Sequence, residues 1–406
     1  MRIAVTGLAL IFMLLSGMAS FAQPFFDSDV QPADAKPEKY IALLEGKRVA
    51  LIINHTSVIG NESLLDLLLA RKIAVRKIFV PEHGFRGNED AGAKIDNAID
   101  KATGLPVISL YGKHKKPTPE DMADIDVVVY DLQDVGVRFY TYISTLEYCM
   151  EACAQNHKQL MVLDRPNPNG FYVDGPVLKE DNKSFVGMQQ IPIVYGMTAG
   201  EYAKMLKGEG WFDNASQLDL KVILCINYTH AKRYKLPVPP SPNLRTMAAI
   251  YAYPSLCLFE GTPVSVGRGT DMPFQQYGCP EFEGKYTYSF TPRSVSGAKN
   301  PPHENKLCYG ELIGKTEEEV LRQTQGKFRL HWLIKAYGAY PDKDKFFNGF
   351  FVKLYGQKGL AKAIAGDCNN PEEAEDQVRR TWKKDLASFR KIRKRYLLYP
   401  DAPEYN

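Results

Sequence analysis

Beyond its N-terminal segment this chain has no long apolar run. No later stretch reaches the roughly 18 consecutive apolar residues of a membrane-spanning helix, so no membrane span is expected. Cysteine is scarce as well. The seven present, Cys149, Cys153, Cys225, Cys257, Cys279, Cys308 and Cys368, are odd in number and scattered, which argues against a disulfide framework. Most are expected as buried apolar side chains, with Cys149 and Cys153 on the inner face of one helix. A single bridge such as Cys279 to Cys308 stays open. The charge is nearly balanced, at a net +4, too little to imply nucleic acid, although it tolerates an anionic wall polymer. None of the seven histidines falls in HExxH or another dense ligand spacing. A Walker motif is also missing, as is a GxGxxG after the first strand. Metal, cofactor, phosphate and dinucleotide binding are therefore not expected, and no internal repeat points to a solenoid.

What is there begins with an address. Residues 1–22 combine Arg2, an apolar run from Ile3 to Leu15, and the small residues of SGMASFA before Gln23, which is the pattern of a secretory signal. No cysteine follows the run, so a lipoprotein anchor is not indicated. The mature chain is expected to be exported, to the periplasm in preference to the medium. Its length exceeds what one core usually supports, which leads to an expectation of a linker over 23–45, a first domain over 46–235 and a smaller one over 236–406.

KRVALIINH (47–55) reads as a buried strand and NESLLDLLLARK (61–72) as a capped amphipathic helix. VRKIFVPEH, VISLYG (107–112), DVVVYDLQD (126–134) and QLMVLDRPN (from 159) read as further strands, with a helix over TYISTLEYCMEACAQN. Short continuous apolar runs alternating with helices indicate an α/β fold: a Rossmann-like, doubly wound, mainly parallel sheet. Past the proline-rich RYKLPVPPSPNLR (233–245), TMAAIYAYPSLCLFEG reads as a helix, TPVSVGRGTDMPFQQYGCP as turn-rich, GFFVKLYG (349–356) as a strand, and the segment from about Pro371 as a long helix. Together they make a smaller α+β domain closing the sheet's crevice. Within the last helix RRTWKKDLASFRKIRKRY sets nine Lys and Arg against one Asp, the pattern of a solvated face.

Asn54 and His55, Glu82 and His83, Tyr111, Asp131 and Asp134, and Asp164 and Arg165 all fall where an apolar run stops. In an open parallel sheet these ends share one edge, and ligands bind there. Within FVPEHGFRGNEDAG (79–92), Glu82 is the foremost catalytic candidate. A carboxylic acid so placed can protonate a leaving oxygen, which contributes about 10² to 10⁴ in rate; otherwise it caps a turn. His83 would orient Glu82 or meet the substrate. Gly84, Gly87 and Gly92 permit a tight backbone path, and Arg86 offers a fork for a carboxylate or pairs with Glu89 or Asp90. In YDLQDVGVRFYTYIST (130–145), Asp131 and Asp134 are candidates for a second catalytic carboxylate, and Arg138 and Tyr142 for substrate contacts. The competing reading pairs Asp134 with Arg138 and packs Tyr142 in the core. LDRPNPNG (163–170) sets Arg165 and Asn167 on a loop stiffened by prolines. SPNLR and FEGTPVSVGRGT add Asn243, Glu260 and Arg268 to the substrate-binding candidates, beside Asn54.

Taken along the chain, PEHGFRG with DAG just beyond it, VVVYDLQDVGVRFYTYIST, LDRPNPNG, SPNL and FEGTPVSVGRGT closely resemble the NamZ-type exo-β-N-acetylmuramidase family, from about Lys47 to the C-terminus. The resemblance implies a Rossmann-like first domain, a smaller second one and a site between them. It also implies an exported glycosidase that releases N-acetylmuramic acid from the non-reducing end of peptidoglycan fragments, whether disaccharides or glycan chain ends. Glu82 matches the family's catalytic glutamate in PEHG. The second group would be Asp131, Asp134 or Glu260, unless the substrate's own acetamido group acts. One of Arg86, Arg138, Arg165 and Arg268 would bind the lactyl carboxylate that distinguishes muramic acid from glucosamine. Two competing expectations are a non-catalytic muropeptide-binding protein and a metal-dependent deacetylase or esterase built on His55, His83 and the nearby acids.

Overall fold

The computed structural model describes residues 25–86, 90, 97–366 and 369–403. The signal-like segment 1–22, together with Gly87, Glu89, Gly92 and Cys368, lies outside the described residues. Strands β1 (Arg48–Ile53), β2 (Val58–Ile59), β3 (Glu62–Ser63), β4 (Ala74–Val80), β5 (Ala98–Ile99), β6 (Pro106–Ser109), β7 (Val127–Asp131), β8 (Gln159–Leu163) and β9 (Asp219–Ile223) occupy the first half. Seven of them form one sheet in the order β5-β6-β4-β1-β7-β8-β9, parallel except at the β5 edge. This is the expected α/β class.

The continuous apolar runs are explained by burial on both faces. Ala50 and Ile52 of β1 enter the core shared with the helix Tyr142–Gln155, whereas Val49, Leu51 and Ile53 enter the core shared with the helix Leu64–Ala70. That second helix is shorter than the sequence implied, because Glu62 and Ser63 pair with Val58 and Ile59. Ser63 then caps it, its hydroxyl accepting from the Asp66 amide at 3.0 Å. The strand order reverses at β1: the chain passes first to β4 on one side and later to β7 on the other. The crevice of such a sheet opens at the carboxyl ends of the strands flanking that reversal.

The stretch read as a linker is packed against the sheet domain. Ala33, Asp34 and Tyr40 are buried, and Gln31 pairs with Ile226. In the second half β10 (Gln276–Cys279), β11 (Tyr288–Phe290) and β12 (Cys308–Leu312) form an antiparallel sheet in the order β10-β12-β11. The expected strand at 349–356 is instead helical over Phe351–Tyr355. Phe351, Leu354 and Tyr355 all turn inward at helical spacing, and Gly356, at φ +83°, ends the turn. A short apolar run fits either period, and here packing decides.

The larger apolar cluster continues from the first sheet into this half. The helix Pro371–Lys394 is strapped across that join by its basic residues. Arg379 Nη2 lies 2.6 Å from Asp174, Arg390 Nη2 donates to the Val173 carbonyl at 2.9 Å, and Arg393 Nε donates to that of Gly196 at 2.8 Å. The basic run is thus partly structural, with Trp382, Leu386 and Phe389 buried between its charges. Six cysteines are buried and unbridged, Cys279 and Cys308 among them, so the open bridge does not form. Among the described residues no helix is long and apolar enough to cross a membrane.

Candidate active site

β4 delivers Glu82 to the crevice. Past Pro81 the backbone turns left-handed twice, at His83 (φ +72°) and Gly84 (φ +73°). Glycine adopts this freely, whereas a histidine there is strained and is held by its surroundings. His83 is buried. Thr141, just before the helix Tyr142–Gln155, donates its hydroxyl to Glu82 Oε2 at 2.8 Å. Tyr111, past β6, also hydrogen-bonds Glu82; burial, reinforced by that carboxylate, pushes its phenol above the usual value. Two hydroxyls, from opposite sides of the strand reversal, therefore fix one carboxylate.

Glu82, His83, Tyr111 and Thr141 form one wall of a cleft of about 660 Å³; Glu260, Arg268 and Phe274 from the second half form another. This volume suits a small ligand. Aromatic rings make a continuous floor between the walls: Tyr140 to Tyr253 at 6.1 Å, then Tyr253 to Phe274 at 4.9 Å. At the far end the Arg268 guanidinium lies 5.0 Å over Phe274, and its Nε donates to Glu260 Oε1 at 2.6 Å. Asp90 also lines the cleft and is tethered to the second half, accepting from the Lys299 amide at 2.9 Å.

The other candidates take different places. Asn54 is buried, its Nδ2 donating to the Tyr142 hydroxyl at 2.8 Å while its Oδ1 accepts from Thr56. Asp131 is spent in a buried ion triad: Arg165 Nε lies 2.6 Å from Asp131 and Arg165 Nη2 2.5 Å from Asp34. Neither Asp131 nor Arg165 reaches the cleft. Asp134 is buried too, bonded to the Tyr195 hydroxyl and the Gly136 amide, and burial pushes its carboxyl up to about 6. Arg138 is buried among backbone carbonyls, not paired with Asp134. Asn167 braces its own loop, donating to the Met197 carbonyl and accepting from the Asn169 amide. Asn243 donates to the Gly297 carbonyl at 2.8 Å and so supports a cleft wall. Arg86 is exposed, 3.9 Å from Asp100, and does not line the cleft.

His55 donates Nε2 to the Pro239 carbonyl at 2.8 Å, and burial lowers its pKa; that ring nitrogen is committed to joining two chain segments. Among the described residues, His331, Glu372 and Glu375 can bring ligand atoms within 4.8 Å of one another. Arg329 already bridges those two carboxylates, at 2.5 Å from Glu372 and 3.1 Å from Glu375, and none of the three lines the cleft. Thr141, Tyr253 and Phe274 were missed in the sequence. Thr141 had a usable signal, a hydroxyl at a helix start beyond a strand. The two aromatics had none, since Tyr253 sits in an apolar stretch that reads as a helix and Phe274 in one that reads as turn-rich.

Acids lining an aromatic-floored cleft, at the switch point of a mainly parallel sheet, make a candidate active site of an α/β enzyme. The chain belongs to the exo-β-N-acetylmuramidase NamZ family: residues 49–248 match its N-terminal model and 251–399 its C-terminal one. It is 37% identical over 378 residues to the peptidoglycan β-N-acetylmuramidase NamZ of Bacillus subtilis (strain 168), with 89% of each chain covered. Two crystal structures of DUF1343 family proteins from Bacteroides fragilis NCTC 9343 share the fold. One is 48% identical with a TM-score of 0.83, covering 92% of this chain and 100% of the other; the second is 30% identical with a TM-score of 0.73, covering 91% and 99%.

Proposed function

We infer that this glycosidase is exo-acting and releases N-acetylmuramic acid from the non-reducing ends of peptidoglycan fragments, with Glu82 as the general acid. The observation that carries this reading is a glutamate oriented by Thr141 and Tyr111 within a cleft walled by both halves, in a chain related over most of its length to a peptidoglycan β-N-acetylmuramidase. Glu82 gives its proton to the glycosidic oxygen as the bond to the anomeric carbon breaks. Burial of His83 beside it keeps the turn rigid. The oxocarbenium-like centre needs a second group. With Asp131 and Asp134 turned away, Asp90 and Glu260 are the remaining wall acids among the described residues, and the substrate's acetamido group is the alternative nucleophile.

Hydrolysis of 4-nitrophenyl β-N-acetylmuramide tests the assignment. Glu82→Gln is expected to lower kcat by about 10² to 10⁴ with an unchanged melting temperature, and wild-type kcat in that variant would move the acid elsewhere. Tight muramide binding by wild type without turnover would favour a binding protein instead. The segment 1–22 directs export to the periplasm in this reading, so N-terminal sequencing of protein recovered from the cell envelope is expected to start at Gln23. A start at Met1 counts against it.

A further inference from the structure

We propose that Arg268 binds the lactyl carboxylate of the muramic ring and thereby sets the preference for muramic acid over glucosamine. The proposal rests on the glycosidase reading above and supplies its selectivity. The described ionisable side chains of the cleft wall include the acids Glu82, Asp90 and Glu260 against the bases His83 and Arg268. A sugar bearing a carboxylate meets Asp90 and Glu260 there, so it needs a fixed cation to enter. Of the four arginines the sequence offered, Arg138 is committed to carbonyls, Arg165 to two aspartates, and Arg86 lies outside the cleft. Arg268 remains.

Its geometry fits a carboxylate. Glu260 holds only Nε, at 2.6 Å, and among the described residues no hydrogen bond is made by the two terminal nitrogens. Their end-on edge is the one that takes a carboxylate bidentately. Phe274 beneath the guanidinium and Glu260 at its edge fix the plane before substrate arrives, which limits the ordering cost of binding. The flanking glycines explain the GRGT sequence without a phosphate. Gly267 (φ +77°) and Gly269 (φ +81°) are both left-handed, and a Cβ at Gly269 would meet the Arg293 carbonyl oxygen at 2.5 Å. The two turns present the arginine between them to the cleft.

Calorimetric binding of N-acetylmuramic acid and of its lactyl methyl ester, which has no charge, tests this without turnover. Wild type is expected to prefer the acid by about 10²-fold, the worth of a charge-assisted pair. Arg268→Met is expected to lose that preference while binding the ester as before, and Arg268→Lys, which keeps the charge but not the fork, to retain a fraction of it. Equal affinity of wild type for acid and ester would overturn the proposal even where muramide hydrolysis stands, and needs no variant to fold. An acid preference that survives in Arg268→Met would overturn it too. Conversely, an Arg268-dependent preference in a protein that hydrolyses no muramide would keep the arginine's role and sink the glycosidase reading.

Discussion

A guanidinium taken fully out of water loses its hydration, and only a complete set of acceptors can offset the loss. Arg138 fills four of its five N–H donors, with the carbonyls of Pro176, Ile191 and Leu354 at 2.8 Å and of Tyr355 at 3.0 Å, and leaves Nε unpaired. Burial still draws its pKa down to about 9. Because these carbonyls come from both halves of the chain, the side chain is a rivet and not a ligand. Arg138→Lys keeps a charge but cannot span four acceptors from one point. It is expected to cost on the order of 3 kcal/mol, as breaking a buried charged network does, read as a lowered denaturant midpoint with KM for the muramide unchanged. An unchanged midpoint with a raised KM would return Arg138 to the substrate site.

At the scale of elements, the parts legible in the sequence were those whose burial is uniform. β1, β4, β7 and β8 are buried along most of their length, and a continuous run of branched apolar residues signals just that. β9 lies at the sheet edge with Asp219 and Lys221 exposed, so its sequence carries a diluted pattern and was passed over. The antiparallel strands β10 to β12 were hidden for another reason: each is only three to five residues long among turn residues, although β10 is buried throughout. Position at a strand end has the same reach and the same limit. It brought Glu82 and His83 to the crevice, because β4 ends beside the reversal at β1. It also promoted Asp131 and Arg165, which end strands of the same edge but turn inward to meet Asp34. Asp34 comes from a segment whose composition reads as loose, and long-range pairing of that kind leaves no local mark. The aromatic floor was illegible on the same ground: Tyr253 sits in a helix buried on every side, so nothing in its spacing separates a cleft-facing ring from a core one.

For the molecule as a whole, four buried carboxylates bias stability toward low pH, against Glu375 and Asp401, whose hydrogen bonds and ion pairs outweigh burial and hold them low. Burial pushes Asp34 and Glu147 up to about 7, and Asp134 and Asp164 up to about 6. Each therefore binds its proton more tightly folded than unfolded. Their contribution is fully present below the unfolded carboxyl pKa, near 4, and is lost as pH rises through 6 to 7. Glu147 isolates the effect, since it lies outside the cleft wall, in the helix Tyr142–Gln155, and accepts from Gln189. The charged groups around it, Lys183 and Glu151, act in opposite senses and less strongly than burial. Glu147→Gln keeps the shape and cannot ionise. Its melting temperature is expected to match wild type near pH 4 and to exceed it increasingly toward pH 8. From 4.5 to about 7, the gain approaches about 3 kcal/mol. Thermal unfolding curves for the two proteins that run parallel from pH 4 to 8 would show that Glu147 is ionised in the fold at no cost, with Gln189 and Lys183 together compensating its burial.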